Sequence, residues 1–309
     1  MHNFGFSKFL ERYSSSHNKN KCDGIICELA QTLKLAFSSS SPIRLDGLYK
    51  YLQFVNPKIV LGREEDAHEY FNLLLQYVDE RYCLELSLAN YTNSPVADEF
   101  FGVFGFTLTC PKHGNLPSRF DKVQGLILEI KNNATLEEAL AEYFSTEEVT
   151  YKCNKCGFNV LCDKSMKFIK PPLTLIITLN RFGMDEEGGN FKIDKKIEFR
   201  EIMNINNYVN AWDTSLHSKD TRDFTYNLSS VVTHTGSTIH TGHYEVMIKV
   251  NNGNFYLFND ASVTKISQET VLNSAAYILI YTIKDELENI PPLNIQQIYC
   301  NKRQAVSKL

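Results

Sequence analysis

Apolar residues recur at helical spacings in the first third of the chain, and strand-like runs replace them after it. A short helical piece is expected near Phe4–Tyr13, followed by loop to Asn20. Ile26, Leu29, Leu33 and Phe37, three or four apart, predict a helix with one buried face that Ser38–Pro42 ends. A second short helix is expected over Leu45–Val55. A third opens at Glu64, with Ala67, Phe71, Leu74, Leu75 and Val78 inward and three acids suiting its positive end. Residues 84–98 read as loop. Phe100–Thr109 and Gly125–Ile130 read as strands, and a helix over Thr135–Phe144 opens on a capping box of Thr135 and Glu138. Leu173–Leu179 is almost continuously apolar, which predicts a strand covered on both faces. Gly188-Gly189-Asn190 turns the chain, and 203–224 reads as loop anchored by Trp212. The strands Tyr244–Val250 and Phe255–Phe258 flank Asn252-Gly253, a strong hairpin signal. Helices first and strands afterwards predict an α+β fold.

Composition narrows the classes. With 309 residues, 43% of them hydrophobic, the chain can bury one large core or two modest ones. A net charge of -4 gives no electrostatic footprint for nucleic acid. The apolar runs are strand-length, so no membrane partner is expected. Eight cysteines, unevenly spaced and partly in Cys-x-x-Cys form, point to a reducing compartment and a metal rather than a disulfide framework. Cys22 and Cys27 read as ordinary thiols, and cytoplasm or nucleus is the expected location.

Two constellations carry chemistry. Cys110-Pro-Lys-His113 and Cys153-Asn-Lys-Cys156 place two ligand pairs on tight knuckles, a donor set for tetrahedral Zn²⁺. A thioredoxin-like reading of the second pair needs a helix after it, and residues 157–162 look like strand instead. The other constellation is Gly242-His243-Tyr244, facing Asn259-Asp260 across the hairpin. A histidine oriented by an amide or carboxylate is two thirds of a thiol-protease triad. A two-residue turn would put Asp260 on the face of His243. One more turn residue would put Asn259 there, because a one-residue slip exchanges faces.

Five landmarks, in order, resemble the ubiquitin-specific proteases. Glu64-Glu65-Asp66-Ala67-His68-Glu69-Tyr70 resembles that family's Gln-Glu-Asp-Ala-His-Glu box, with Glu64 in place of Gln. The cysteine–histidine pairs resemble its zinc fingers, usually built on four cysteines. Leu179-Asn180-Arg181-Phe182 resembles Leu-Lys-Arg-Phe, and Ile193-Asp194-Lys195-Lys196 resembles the next landmark, prominent among plant members. The stretch Leu228–Gly236 with Gly242-His243-Tyr244, Asn259-Asp260 and Ala276–Leu279 resembles the histidine box. The resemblance implies a papain-like fold in one domain, 1–282. Its parts would be a helical thumb (1–93), fingers with a structural zinc (94–170) and a β palm (171–282), before a loosely held tail (283–309). It also implies His243 as general base, Asn259 as its orienting residue with Asp260 second, and ubiquitin contacts by Asp66, Glu65 and Tyr244. The implied partners are ubiquitin and ubiquitinated proteins.

The family's nucleophile lies in a Gly-Asn-Thr-Cys box, and the 309 residues contain none. The asparagine that donates to the oxyanion is missing with it. Removing a triad nucleophile lowers turnover about a million-fold. The chain as written is therefore expected to be inactive as a peptidase, with a ubiquitin-binding pseudoenzyme as the alternative.

Overall fold

The computed structural model describes residues 4–16, 24–38, 43–85, 94–116, 119–184, 190–210, 212–213, 218–219, 223–238, 241–250 and 252–284. The turn at Gly188-Gly189 and nearly all of the 283–309 tail lie outside these residues, and so does the side chain of Trp212.

The N-terminal part is helical: α1 (Phe4–Ser16), α2 (Ile25–Ser38), the single turns α3 (Asp46–Tyr49) and α4 (Leu52–Val55), α5 (Ala67–Glu85) and α6 (Pro95–Phe100). The helix expected over 45–55 is two single turns, parted at Lys50-Tyr51. Helix α5 begins at Ala67, so Glu64 and Glu65 precede it, and Asp66 caps it by accepting from the Glu69 amide (2.9 Å). Part of the loop expected over 84–98 is α6, opened by Ser94 as N-cap and Pro95 just inside. Cys27 is disulfide-bonded to a residue outside the described ones, which corrects its reading as an ordinary thiol.

A first sheet follows. Its strands are β1 (Phe101–Cys110), β2 (Gly114–Asn115) and β3 (Arg119–Gln124); after β4 (Leu126–Glu129) and α7 (Leu136–Tyr143) come β5 (Glu147–Lys152) and β6 (Asn159–Lys170). They are ordered β2-β1-β6-β5, with β3 also on β1. Strands β3 and β5 have no counterpart in the sequence reading, because both are mostly exposed and lack an alternating apolar face. Helix α7 carries the expected capping box, Thr135 with Glu138.

Then come β7 (Thr174–Asn180), the β8–β9 hairpin (Phe182–Met184, Asn190–Lys192), β10 (Ile202–Asn204), the β11–β12 pair (Trp212–Asp213, Ser218–Lys219) and β13 (Thr225–Thr238). The chain ends in β14 (Thr241–Lys249), β15 (Phe255–Asn259), β16 (Ser262–Ile266), α8 (Gln268–Leu272) and β17 (Ala276–Ile283). Short strands thus occupy the 203–224 stretch read as loop. The main sheet runs β16-β15-β14-β13-β17-β7-β4, with β10 beside β13. Within 94–170, α6 packs into the helical core, while β4 joins this sheet and α7 packs on it.

Strand β7 divides two cores. Leu175, Ile177 and Leu179 face one, and Ile176 faces the helical one, as a period of two requires. Its buried Thr174 and Thr178 bond Glu99 of α6 and His68 of α5. Just beyond β7, buried Arg181 donates Nε to the Ala276 carbonyl (2.6 Å) and Nη1 to those of Ile193 and Lys195 (2.8 Å each). A lysine cannot reproduce that fork. Arg181→Lys is expected to lower unfolding free energy by about 1.5–3 kcal/mol, measured by denaturant titration.

Candidate functional site

The site is built on the β14–β15 hairpin. Its loop holds three residues, 251–253: the Val250 amide bonds the Asn254 carbonyl (2.9 Å), and Gly253, at φ 79°, donates to the Val250 carbonyl (2.8 Å). A loop residue at positive φ falls naturally to glycine. Pairing then runs Val246 with Phe258 and Lys249 with Phe255. The two-residue turn is thereby overturned, and Asn259 comes onto the face shared by His243 and Glu245. His243 Nε2 lies 2.8 Å from Asn259 Oδ1, and Asn259 Nδ2 donates to Glu245 Oε1. Asp260 instead occupies the β15–β16 turn at φ 48°. Gly242 lies in β14 opposite a register irregularity of β13 between Thr235 and Thr238. Its role is space, because a Cβ there would come within 2.0 Å of His234 Nε2.

Acidic residues ahead of α5 reach this hairpin. Glu64 Oε2 accepts from the Gly242 amide (2.8 Å), a contact the sequence left open. Asp66 Oδ2 accepts from the hydroxyls of Tyr277 (2.6 Å) and Tyr244 (3.3 Å). Burial, then the Asp66 charge, pushes the Tyr244 hydroxyl up to about 12. Tyr277 is raised as well, by burial and by its bond to Asp66. Glu65 and Asp66 border a cavity of ≈ 270 Å³ with Tyr49, Leu61, Arg63 and Tyr70. Glu245 and Tyr277 escaped the sequence reading, although Glu245, two residues beyond His243 in a strand, had to share its face.

The second constellation lies at the far end of the first sheet. Donor atoms of Cys110, His113, Cys153 and Cys156 are all within 4.8 Å of one another. Cys110 and Cys156 sulphurs are 3.8 Å apart. His113 Nδ1 lies 3.7 Å from the sulphurs of Cys110 and Cys153 and 3.3 Å from that of Cys156. Ligands about 2.3 Å (sulphur) and 2.0 Å (nitrogen) from one tetrahedral centre stand roughly 3.5–3.8 Å apart. The quartet could therefore hold a metal ion. Strand β6, not a helix, follows Cys156, which excludes the thioredoxin arrangement. None of the free cysteines among the described residues is hydrogen-bonded to His243.

Comparison with known proteins bears on both constellations. The profile of a family described as ubiquitin carboxyl-terminal hydrolase matches residues 2–281. Ubiquitin carboxyl-terminal hydrolase 36 of Drosophila grimshawi is 32% identical over 279 residues, 87% of this chain and 22% of that protein. Its namesake in Drosophila melanogaster is 31% identical over 268 residues, 84% of this chain and 25% of that protein. The chain thus spans about a quarter of the length of these curated relatives. The SAGA Ubp8/Sgf11/Sus1/Sgf73 DUB module bound to ubiquitin aldehyde has a chain that superposes with TM-score 0.79 at 28% identity, covering 92% of this chain and 65% of that one. The same module bound to monoubiquitin gives TM-score 0.78, also at 28%, over 92% and 64%.

His68 braces the joint between helices and sheet, and His234 is buried within the sheet. His68 Nδ1 lies 2.6 Å from Thr178 Oγ1, and its Nε2 lies 2.9 Å from Asn72 Nδ2. Burial holds the His68 imidazole below its usual 6.5, outweighing Asp66 and Glu69; His234 is lowered by burial and by Lys192. The native state then binds fewer protons than the unfolded chain just below pH 6.5. Stability is expected to decline as pH falls through that window, by at most about 1.4 kcal/mol per pH unit for each group. His68→Gln should remove part of the slope, read from denaturant midpoints between about pH 5 and 8.

Proposed function

The chain belongs to the ubiquitin carboxyl-terminal hydrolase family, and from that premise we propose that it serves thiol-dependent hydrolysis of the isopeptide bond after ubiquitin's C-terminal glycine. Its α+β architecture is the papain-like fold of the ubiquitin-specific proteases. The observation that carries the proposal is the His243–Asn259 pair. An amide oxygen can only accept, so Nε2 carries the imidazole proton and Nδ1 keeps its lone pair. His243 is the general base: Nδ1 takes the proton of a cysteine thiol, the thiolate attacks the glycyl carbonyl carbon, and the imidazolium returns the proton to the departing lysine amine. Water then releases ubiquitin from the thioester. Asn259 orients the ring, and Asp260 has no part in that bond. Asp66, Glu65 and Tyr244 bind ubiquitin's basic tail, and ubiquitinated proteins of the cytoplasm or nucleus are the substrates.

The attacking cysteine must come from outside the 309 residues, which contain no Gly-Asn-Thr-Cys box. That same fact favours a second reading, a pseudoenzyme that grips ubiquitin without cutting it. The chain as it stands should resist a ubiquitin C-terminal electrophile yet titrate with ubiquitin. A form carrying the cysteine box should be labelled. His243→Ala in that form is expected to lower turnover about 10⁴–10⁶-fold. Normal turnover would remove His243 as base, and failure of the cysteine-bearing form to react leaves the pseudoenzyme.

The ion at Cys110, His113, Cys153 and Cys156 is Zn²⁺, which takes thiolate and imidazole alike. It is structural, since four protein donors fill the tetrahedron. Such sites contribute about 10–16 kcal/mol, as much as the roughly 5–15 kcal/mol of a whole domain. Purified protein is expected to contain about one zinc per chain. Chelation should unfold β1, β2, β5 and β6 ahead of the rest, followed by hydrogen exchange. Folded protein without metal would refute the assignment.

A further inference from the structure

We infer that Glu245 is a positioning residue that fixes the tautomer of His243 through Asn259. The inference rests on the reading of His243 as general base and names a residue on which that role depends.

Three side chains form a one-way chain. Glu245 and His243 stand on one face of β14, two residues apart, and the register of β15 brings Asn259 against both. Asn259 Nδ2 donates to Glu245 Oε1, and Asn259 Oδ1 lies 2.8 Å from His243 Nε2. The terminal amide of asparagine is nearly symmetric in shape, so only its partners decide which end faces which way. His243 cannot decide, because a neutral imidazole nitrogen serves as donor in one tautomer and acceptor in the other. Glu245 can. An ionised carboxylate has no proton to give, so the atom turned toward it must be Nδ2. Oδ1 then faces the ring and accepts only, which holds the proton on Nε2 and leaves Nδ1 bare. Were the amide reversed, Oδ1 would face the carboxylate, acceptor against acceptor. The ring proton is thus placed by a residue that does not touch the ring.

Asparagine makes this support necessary. An aspartate at 259 would accept from Nε2 in either orientation, whereas an asparagine orients the base only while something holds its amide. Here that something is a glutamate on the facing strand β14, two residues beyond His243.

The test reads ring ¹⁵N shifts of His243 in the 309-residue chain at about pH 8. It needs no catalysis. In the unsubstituted protein the Nε2–H form should account for nearly all the ring. Glu245→Gln lets either end of the new amide face Asn259, so both orientations close the chain, and the Nδ1–H form should rise to about half. Glu245→Lys offers only donors and should make Nδ1–H the main form. Backbone spectra establish that each variant is folded, and the glutamine variant, nearly isosteric, stands if the lysine variant is not. A folded Glu245→Gln protein with the ring still almost wholly Nε2–H would overturn the inference. Failure of the general-base reading would show elsewhere, as normal turnover of a cysteine-bearing His243→Ala form.

Discussion

Burial of the central sheet on both faces is the constraint on which the rest of the molecule depends. Alternate side chains of β7 enter different cores, so a slip by one residue would exchange the contents of both. Antiparallel β17 is tied to β7 in register from Thr282 against Thr174 to Ile278 against Thr178. Strand β13 is tied to β17, and β14 to β13. The position of His243 is therefore inherited, strand by strand, from a part of the sheet that has no freedom to move. The polar groups on β7 point the same way. Thr174 and Thr178 lie on the helical side, where one meets buried Glu99 and the other half-buried His68, so the helices dock at fixed points as well as by apolar contact.

Against that inherited position, one loop residue decides the chemistry. The three-residue loop of the β14–β15 hairpin selects Asn259 for the face of His243 and sends Asp260 into the following turn. An asparagine at this place binds the imidazole without a charge, and the carboxylates nearby, Glu64, Asp66 and Glu245, bond the groups around it. Two of these precede α5 and one lies on the histidine's own strand. The glycine before His243 serves the same arrangement by admitting the ring of His234, which packs against Tyr244 at 4.7 Å between centroids.

Much of this was legible in the residues. Periodicity predicted α2, a capping box marked the start of α7, the apolar run predicted β7 as a two-faced strand, and the knuckle spacing brought four donors to one point. What escaped was whatever has no apolar signature. Strand β5 alternates between exposed residues and is held by backbone pairing with β6, which sequence patterns do not report. The bounds of α5 were misread because acids before a helix and acids in its first turn look alike in sequence, while a cap is recognised by its bond. The hairpin register was undecided for a related reason: Asn-Gly suits loops of two residues and of three. Tyr277 was hidden by distance, since its partner Asp66 precedes it by most of the chain.

The joint between helices and sheet links the acids ahead of α5 to the strand that carries His243. Glu64 holds the amide beside His243, and Asp66 holds one tyrosine of the histidine's strand and one of β17. The start of α5 and the start of β14 are therefore bonded to each other through side chains. A carboxylate offers about four lone-pair directions. Asp66 uses three of them, on the Glu69 amide and the two hydroxyls. On the proposed function, an incoming peptide amide would meet a remaining acceptor site on Asp66, and the longer bond, to Tyr244, would be the one most readily exchanged. Binding at Asp66 would therefore load the contact next to Ala67 and Gly242, not a free side chain. On the proposed function, a ligand at Asp66 would thereby reach the strand that carries His243 without touching the imidazole.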